Sequence, residues 1–330
     1  MATVAPEIHD VGPPAEPQTA VVGLSPRQLF WTRFKQDKAA VAGLIIIAVL
    51  ILLALTAPII ARIVGHGPND LFQREMTDSF GVPKGPNADF WFGADQAGRD
   101  VFVRVIYGAR TSLIVGLVAT GIAVFIGTTF GILAGYFGGK IDTIISRTID
   151  VVLSMPILLF AIGIVAACGT TGCFNGSLPL VGDFTLIEPG LTLVIFVIAL
   201  FSWPYIARIV RGNTLSIREK EFIEASRSLG AGNGRIMFRE VLPNLIAPII
   251  VYSTLLVPTN ILFEAALSFL GLGVPDRTPS WGGMLSDAAD FFRFAWWLML
   301  FPGVFLILTT LSFNLLGDGL RDALDPRSNR

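Results

Sequence analysis

Residues 39–61 read AAVAGLIIIAVLILLALTAPIIA, and this stretch decides the fold class. It contains no charged residue, and it is longer than the ~20 apolar residues that an α-helix needs to cross the hydrocarbon core of a bilayer. A helix suits that core because it satisfies its own backbone hydrogen bonds where no water is available. The stretch therefore predicts a membrane-spanning helix.

Five more stretches are equally free of charged residues. They are 111–139, 151–182 (apolar to about Cys168), 189–207, 241–263 and 294–317. Over all 330 residues, 53% are hydrophobic and 15% are charged, whereas about a quarter of the residues in soluble domains are charged. We therefore predict an all-α polytopic membrane protein with six transmembrane helices, and we exclude a water-soluble monomer.

The composition excludes further classes of protein. A mean hydropathy of +0.67 does not fit an intrinsically disordered chain, and two cysteines do not make a disulfide-dense secreted scaffold. A net charge of −1 gives no overall field that would attract nucleic acid. The composition therefore predicts a protein that lies in a lipid bilayer.

The distribution of basic residues predicts the orientation. Six spans place both termini on one side of the membrane, and lysine and arginine favour cytoplasmic segments near the ends of spans. With the N-terminus inside, 16 of the 24 basic residues lie in cytoplasmic segments. Most of the other eight lie in one long outer loop, which has little weight in this rule. We therefore predict that both termini are cytoplasmic.

The predicted organisation follows the chain in order. It comprises a cytoplasmic tail and pre-span segment (1–38), a first transmembrane helix (39–63), an extracytoplasmic loop (64–107), a five-helix core (108–317) with a cytoplasmic loop (208–242), and a cytoplasmic C-terminal tail (318–330). The first 25 residues are rich in proline and poor in large apolar side chains, which predicts disorder. Residues 101–107 are short and amphipathic, so we expect a separate helix lying on the membrane surface.

Small residues recur every fourth position in the second span, at Ala119, Ala123, Gly127, Gly131 and Gly135. One helix face is therefore lined with side chains small enough for another backbone to approach closely. We expect Gly127, Gly131 and Gly135 to form a helix-packing face, either as ordinary packing or as a movable seam.

Glu264 is the one carboxylate deep in an apolar stretch, and Ser268 follows it by one helical turn. A charge in lipid costs about 2.5–3.5 kcal/mol on insertion scales, so the side chain should face protein, water or a partner. Several interpretations stay open. Glu264 and Ser268 lie on the solute path or a gate, or Glu264 makes a structural pair, or Glu264 lies shallow enough to reach the water outside.

Two cysteines and two histidines leave little for other chemistry. Cys168 and Cys173 lie five positions apart in an outer loop, where they form either a small disulfide or two free thiols. The chain has two histidines, His9 in the tail and His66 in a loop, and we predict that they form no metal site. Residues 135–141 read GYFGGKI, which departs from a phosphate-binding loop because Ile141 stands where Ser or Thr is needed. We expect no catalytic residues.

The cytoplasmic loop 208–242 is charged and has helical periodicity. Residues 216–229 predict a helix that a serine caps and Gly230 ends, with apolar Phe222, Ile223 and Ala225 spaced for one face. A second short helix is predicted from Arg235 towards Pro243. A helix that lies between two spans and offers an apolar edge among charges is suited to dock on a soluble partner.

The loop contains a motif that marks a family. Glu224-Ala225-Ser226-x3-Gly230, followed after eleven residues by Leu242-Pro243, resembles the EAA motif of binding-protein-dependent ABC importer permeases, with Ser226 in place of the motif's second alanine. Further blocks resemble the dipeptide and oligopeptide permease C subunits in the same order: 31–43, 92–100, 107–113, 267–273 with 279–285, and 314–326.

The resemblance implies a type I ABC importer permease in the bacterial plasma membrane. It implies a pore shared with a B-type permease subunit, two ATPase subunits that bind ATP and Mg²⁺, and an extracytoplasmic peptide-binding protein, with no cofactor in this chain. It assigns the loop to coupling with the ATPase. The residues implied in coupling are Phe222, Glu224, Ala225, Ser226, Leu229, Gly230, Leu242 and Pro243.

Other functions remain as alternatives. Related permeases carry nickel or other small solutes, so the substrate is open. A self-contained ion-coupled transporter would use Glu264 as its proton carrier and would show two related halves, which we do not find in the sequence. A scaffold or membrane enzyme would need an ordered soluble domain or a catalytic constellation, and the sequence shows neither.

Overall fold

A computed structural model describes residues 25–79, 81–168, 172–178, 182–187 and 190–324. The predicted disordered tail lies outside the described residues up to position 24, and Ser25 caps the first helix. The helices are α1 (Pro26–Gln36), α2 (Lys38–Val64), α3 (Gln73–Met76), α4 (Val101–Phe137), α5 (Gly139–Ser154), α6 (Ile157–Cys168), α7 (Leu191–Arg218), α8 (Glu221–Ser228), α9 (Asn233–Arg235), α10 (Leu242–Phe269), α11 (Trp281–Ala288) and α12 (Trp297–Leu324).

Five helical segments in the described chain are long and apolar enough to cross a membrane. They are α2, α4, α7, the continuous segment Asn233–Phe269, and α12. The α5–α6 pair makes a sixth span if the two helices are counted together. Exposed apolar side chains cover the outer face of α2, among them Leu52, Leu55 and Ile63, which fits contact with lipid.

The predicted third span (151–182) differs from the structure. Its apolar part is divided between α5 and α6, whose axes meet at 86°. Met155 between them is extended, with φ −76° and ψ 140°. Proline disfavours the helical conformation of the residue before it, so Pro156 accounts for the break at Met155.

A short hairpin follows α6 in a fold that is mostly helical over the described residues. Strands β1 (Cys173–Leu178) and β2 (Gly182–Ile187) are antiparallel, with Cys173 opposite Ile187. The segment contains Gly176, Pro179 and Gly182, which break helical periodicity and favour turns.

The separate surface helix predicted over 101–107 is wrong, because these residues are the first turns of α4. Asp100 caps the helix by accepting hydrogen bonds from the backbone N–H groups of Phe102 and Val103. Val101 and Val105 are fully buried. The predicted amphipathic face therefore lies against protein, and the boundary at 107 moves back to Asp100.

The coupling loop (208–242) begins and ends inside longer helices. The predicted helix over 216–229 is shorter, because α7 continues to Arg218 and α8 starts at Glu221. Thr214 donates to the carbonyl of Val210 and packs against Gly135 of α4, which keeps this part of the chain in α7. Ser216 is accordingly not a cap.

The second predicted short helix, from Arg235 towards Pro243, is also not separate. It is continuous with α10 through a π-helical turn at Ile236–Val241. Pro243 follows that turn directly. A proline ring clashes with a preceding carbonyl in a regular α-helix, and a wider turn relieves the clash.

The C-terminal tail predicted from residue 318 is helical as far as Leu324, and residues 325–330 lie outside the described chain. Helix α12 continues because Leu320 and Ala323 pack with Phe34 of α1 and Ala40 of α2. The N-terminal and C-terminal helices therefore meet at the same end of the bundle.

Helices α4 and α7 form the centre of the fold along the small-residue face. A Cβ atom added to Gly127 would lie 2.7 Å from the carbonyl oxygen of Trp203, and one added to Gly131 would lie 2.8 Å from that of Ala207. Such distances are too short for a real side chain, so the two backbones touch here. The structure thus places the predicted packing face against α7.

Candidate functional site

Helix α8 has one side against the bundle and one side free. Ile223 is fully buried and lies in one apolar cluster with Ile236, Val210 and Tyr136, so it anchors the helix. Phe222 is 42% exposed and Leu229 is 89% exposed. Exposed large apolar side chains next to a buried anchor mark a surface suited to a protein partner.

Gly230 ends α8 in a conformation that favours glycine. Its φ is +81°, in the left-handed region, and its N–H donates to the carbonyl of Arg227. The next residue, Ala231, donates to the carbonyl of Ser226, with 3.0 Å between nitrogen and oxygen. This closing turn satisfies carbonyls at the helix end and reverses the chain towards α10.

The other residues predicted to act in coupling are divided between α8 and the start of α10. Glu224 and Ala225 are exposed, and Ser226 is half-buried. Leu242 is half-buried and packs against the same cluster as Ile223, whereas Pro243 is exposed. The structure therefore brings the two parts of the motif together through one apolar cluster.

Ion pairs join α5 to α7 where the coupling loop begins. Arg211 binds both carboxylate oxygens of Asp142, and Nη2 of Arg208 lies 2.9 Å from Oδ1 of Asp150. Both contacts link the loop end of α7 to the helix that follows α4. The loop is thereby tied to more than one span.

Glu264 faces the interior of the protein, with no exposed surface. The hydroxyl of Ser112 in α4 donates to Oε2 at 3.0 Å, and the hydroxyl of Ser268 donates to Oε1 at 2.7 Å. The structural pair left open by the sequence therefore fits this geometry, with serines as the partners. One turn earlier, Asn260 joins Ser202 of α7 to Thr120 of α4.

The end of the bundle opposite the coupling loop is formed by residues 65–79, 81–100 and 270–296, and we call it the far end. Ser268 lines a cavity of about 480 Å³ at this end. The wall also includes Arg104, Asp276, Ser280 and Asp287. Arg104 is 2% exposed, and its Nη2 lies 3.1 Å from Oδ1 of Asp276. Charged and apolar groups thus meet in one opening next to Glu264.

The pKa values of two carboxyl groups in this cavity are shifted in opposite directions. Burial alone would raise the pKa of Asp276, but hydrogen bonds and charges from Arg99 and Arg104 outweigh it and lower that pKa. Burial, together with the charge of Asp276, raises the pKa of Asp287. Its ion pair with Arg99 is long, at 3.7 Å. Asp276 is therefore held charged, and the charge of Asp287 is disfavoured.

The two cysteines and His66 make contacts that stabilise the fold. The structure joins Cys168 to Cys173 in a disulfide, with 5.1 Å between their Cα atoms, at the junction of α6 and β1. Nδ1 of His66 lies 2.7 Å from Oδ2 of Asp100 at the start of α4. Among the described residues, no group of three or more His, Cys, Asp or Glu is placed to hold a metal ion.

Comparison with known proteins decides the family. Residues 127–330 match the model of the binding-protein-dependent transport system inner membrane component, and residues 25–79 match the N-terminal transmembrane domain of oligopeptide transport permease C. The dipeptide transport system permease protein of Alkalihalophilus pseudofirmus is 43% identical over 96% of this chain and 93% of its own length. The chain belongs to this permease family.

Other relatives agree across the length of the permease. The oligopeptide transport system permease protein of Bacillus subtilis is 38% identical over 89% of this chain and 88% of its own length. The glutathione transport system permease protein of Escherichia coli is 40% identical over 92% and 91% of the two chains.

The fold of the permease is also that of a solved transporter. The inward-facing methionine ABC transporter MetNI superposes with a TM-score of 0.54 at 20% identity, over 68% of this chain and 97% of that one. The likeness places the permease in the type I fold.

Sequence reasoning missed the charged cluster at the far end of the permease. The sequence predicts a loop at Arg99 and a surface helix at Arg104, yet both residues are buried against acidic residues. The signal was present as Asp95, Arg99 and Asp100 in one block and Asp276 in another. Their separation of more than 170 residues hid the contact.

Proposed function

We propose that this chain forms half of the translocation pore of an ABC importer for short peptides. The relatives named above carry dipeptides, oligopeptides and glutathione by their names, and glutathione is itself a small peptide. In this proposal the other half of the pore is a B-type permease subunit. An extracytoplasmic peptide-binding protein delivers the substrate.

The observation that carries the proposal is the surface of α8. Buried Ile223 fixes the helix to the bundle, while Phe222 and Leu229 point away from it. Two ATP-binding subunits, which hold ATP and Mg²⁺, would dock on this surface and draw it between two positions. ATP can drive the spans only if it binds the two conformations with different affinity, and α8 transmits that difference. This chain itself hydrolyses nothing and needs no cofactor.

The proposal includes an orientation in the bacterial inner membrane. In this orientation α8 and both termini lie in the cytoplasm, and the distribution of basic residues supports it. The far end then meets the binding protein, and Ser268 lines the peptide route beside the cavity. Glu264 holds Ser268 from inside the bundle through their 2.7 Å hydrogen bond.

Purification of the chain with its membrane partners, followed by uptake in proteoliposomes, tests the proposal. We expect two ATPase subunits and a second permease to co-purify, and we expect ATP-driven uptake of labelled dipeptide that unlabelled glutathione reduces by competition. Uptake of nickel without peptide transport would contradict the substrate class. Uptake by this chain alone, driven by a proton gradient, would contradict the ABC mechanism.

A further inference from the structure

The end of α4 carries a side chain that contacts two parts of the coupling loop, which are α8 and the helical segment that follows it. Tyr136 is the second-last residue of α4 and is 5% exposed. Its hydroxyl donates to Oδ1 of Asn233, with 3.0 Å between the oxygens. The guanidinium carbon of Arg227 lies 5.4 Å from the centre of the same ring, within the range of a cation–π contact. Arg227 belongs to α8, and Asn233 begins the helical segment that leads into α10.

The same end of α4 is fixed to α7. Nη1 of Arg218 donates to the carbonyl oxygens of Gly135 and Tyr136, at 3.1 and 3.4 Å. A Cβ atom on Gly135 would lie 2.6 Å from Cβ of Thr214, so the helices touch there. These contacts satisfy carbonyls that a helix end otherwise leaves free. Helices α4 and α7 are therefore joined at Gly135 and Tyr136.

Helix α4 continues from this point without an obvious hinge. It has 37 residues, about 55 Å at the usual rise, and no proline. Helices α2, α7, α10 and α12 all have internal prolines. Proline interrupts the helical hydrogen-bond ladder and is the common site of a bend. A shift at Tyr136 is therefore carried along α4 more directly than along its neighbours.

At its other end α4 holds the wall of the far-end cavity. The guanidinium of Arg104 bonds the carboxylate and carbonyl of Asp276. Asp100, which caps α4, binds His66 at the end of the first span. One helix thus connects the coupling loop to the loop that follows α10.

We infer that Tyr136 is a positioning residue that transmits movement of α8 to α4, and through α4 to the far-end cavity. The inference rests on the proposed function, because it takes α8 as the element that ATPase subunits move. The ring follows Arg227, and the hydroxyl holds Asn233 to the same point. Loss of the hydroxyl alone leaves the ring beside Arg227 but removes the hydrogen bond that ties Asn233 to the end of α4.

The test is the ratio of peptide imported to ATP hydrolysed, measured on the complete complex in proteoliposomes for Tyr136→Phe and Asn233→Ala. One hydrogen bond of ordinary strength changes an equilibrium by about twofold to tenfold. We expect the transport ratio to fall within that range in both variants, and the double variant to fall no further. Assembly and basal ATP hydrolysis should stay at the wild-type level.

Tyr107→Phe is the matched control, because it removes a phenolic hydroxyl from the opposite end of the same helix. It should leave the ratio unchanged. A wild-type ratio in Tyr136→Phe would overturn the inference, and so would an equal fall of uptake and ATP hydrolysis together with poorer assembly, which marks a merely structural residue. Failure of the proposed function looks different, since the wild-type complex would then show no ATP-driven uptake.

Discussion

At the scale of single residues, Gly230 gives the sharpest test of the coupling loop. Its φ of +81° strains any β-branched residue, whereas Gly232, two positions on, has an ordinary φ of −71°. Neither position has an atom within 4 Å of an added Cβ, so backbone conformation alone separates them. We expect Gly230→Val to reduce uptake and binding of the ATPase subunits at least several-fold, and Gly232→Val to do so much less.

Membrane insertion should be normal in both variants, which immunodetection in membrane fractions checks. Wild-type uptake by Gly230→Val would count against the role of α8 in coupling. Equal losses in the two variants would show that the bulk of the side chain matters and the turn does not.

Glu264 tests whether the buried carboxylate is structural. Glu264→Leu removes the carboxylate that accepts hydrogen bonds from two buried serine hydroxyls, and leaving a buried group unsatisfied costs about 1–3 kcal/mol. Glu264→Gln keeps one acceptor oxygen. We expect thermal unfolding of the purified chain in detergent at a clearly lower temperature for Leu and near the wild-type temperature for Gln. Equal stability of the Leu variant would refute the structural role.

These two residues differ in how far the sequence predicts them. Gly230 follows a charged helical segment, and a glycine there predicts a left-handed closing residue. The cost of burying Glu264 predicts that it has partners, but Ser112 is 152 positions away and no local pattern identifies it. The same holds for Tyr136 and Asn233, which are 97 positions apart. Local chemistry is legible in the sequence, and long-range contacts are not.

At the scale of elements, the packing of α4 on α7 predicts a contrast between two glycines of one helix. A Cβ on Gly131 meets Val210 and the carbonyl of Ala207 within 2.8 Å, whereas one on Gly121 meets nothing within 4 Å. Alanine stabilises a helix by about 1 kcal/mol relative to glycine, so the Gly121→Ala chain should be as stable as the wild type or more stable. Gly131→Ala should lower the unfolding temperature and the yield of folded chain, measured by size exclusion in detergent.

The result that would contradict this packing is a Gly131→Ala chain as stable as Gly121→Ala. If the packing holds, Val210→Ala in the Gly131→Ala background should recover little stability. Cβ of residue 210 and the carbonyl oxygen of Ala207 would still lie 2.7 and 2.8 Å from the added Cβ.

The charged loops of the far end predict opposite effects for two neighbouring carboxyls. Asp276 has a pKa held below the reference value of 3.8, so it stabilises the fold at neutral pH and loses that effect as the pH falls through the lowered pKa. Asp287 has a raised pKa, so its charge opposes folding at neutral pH, and the opposition disappears as the pH falls towards 3.8.

We therefore expect Asp276→Asn to lower the unfolding temperature at about pH 7 and Asp287→Asn to leave it equal or raise it. The Asp287→Asn difference should shrink as the pH falls towards 3.8, whereas the Asp276→Asn difference should disappear only as the pH falls below 3.8. Two variants that shift the unfolding temperature in the same direction at neutral pH would contradict the arrangement of charges around Arg99 and Arg104.

The spans themselves follow from the sequence, whereas their ends and bends do not. Apolar length predicts α2 and α12, because the cost of burying charge fixes where a span can lie. It does not show that α4 starts at Val101, since a buried amphipathic turn and a surface helix have the same periodicity. It also does not give the 86° bend between α5 and α6, whose angle depends on what packs on either side of Pro156.

At the scale of the whole molecule, one bundle joins two different surfaces. The coupling loop presents Phe222 and Leu229 at one end, and a charged cavity of about 480 Å³ opens at the other. Helix α4 runs between them with α7 packed along it. The central claim is that a separate ATPase moves the first surface and that the bundle carries this movement to the second.

The most direct measurement is peptide uptake by proteoliposomes that contain this chain with its proposed partners, compared with complexes whose ATPase subunits cannot hydrolyse ATP. The account predicts saturable uptake that requires hydrolysis, that Gly230→Val abolishes or strongly reduces, and that Gly232→Val largely retains. Uptake that continues with inactive or absent ATPase subunits, at the same rate and with the same peptide, would contradict it.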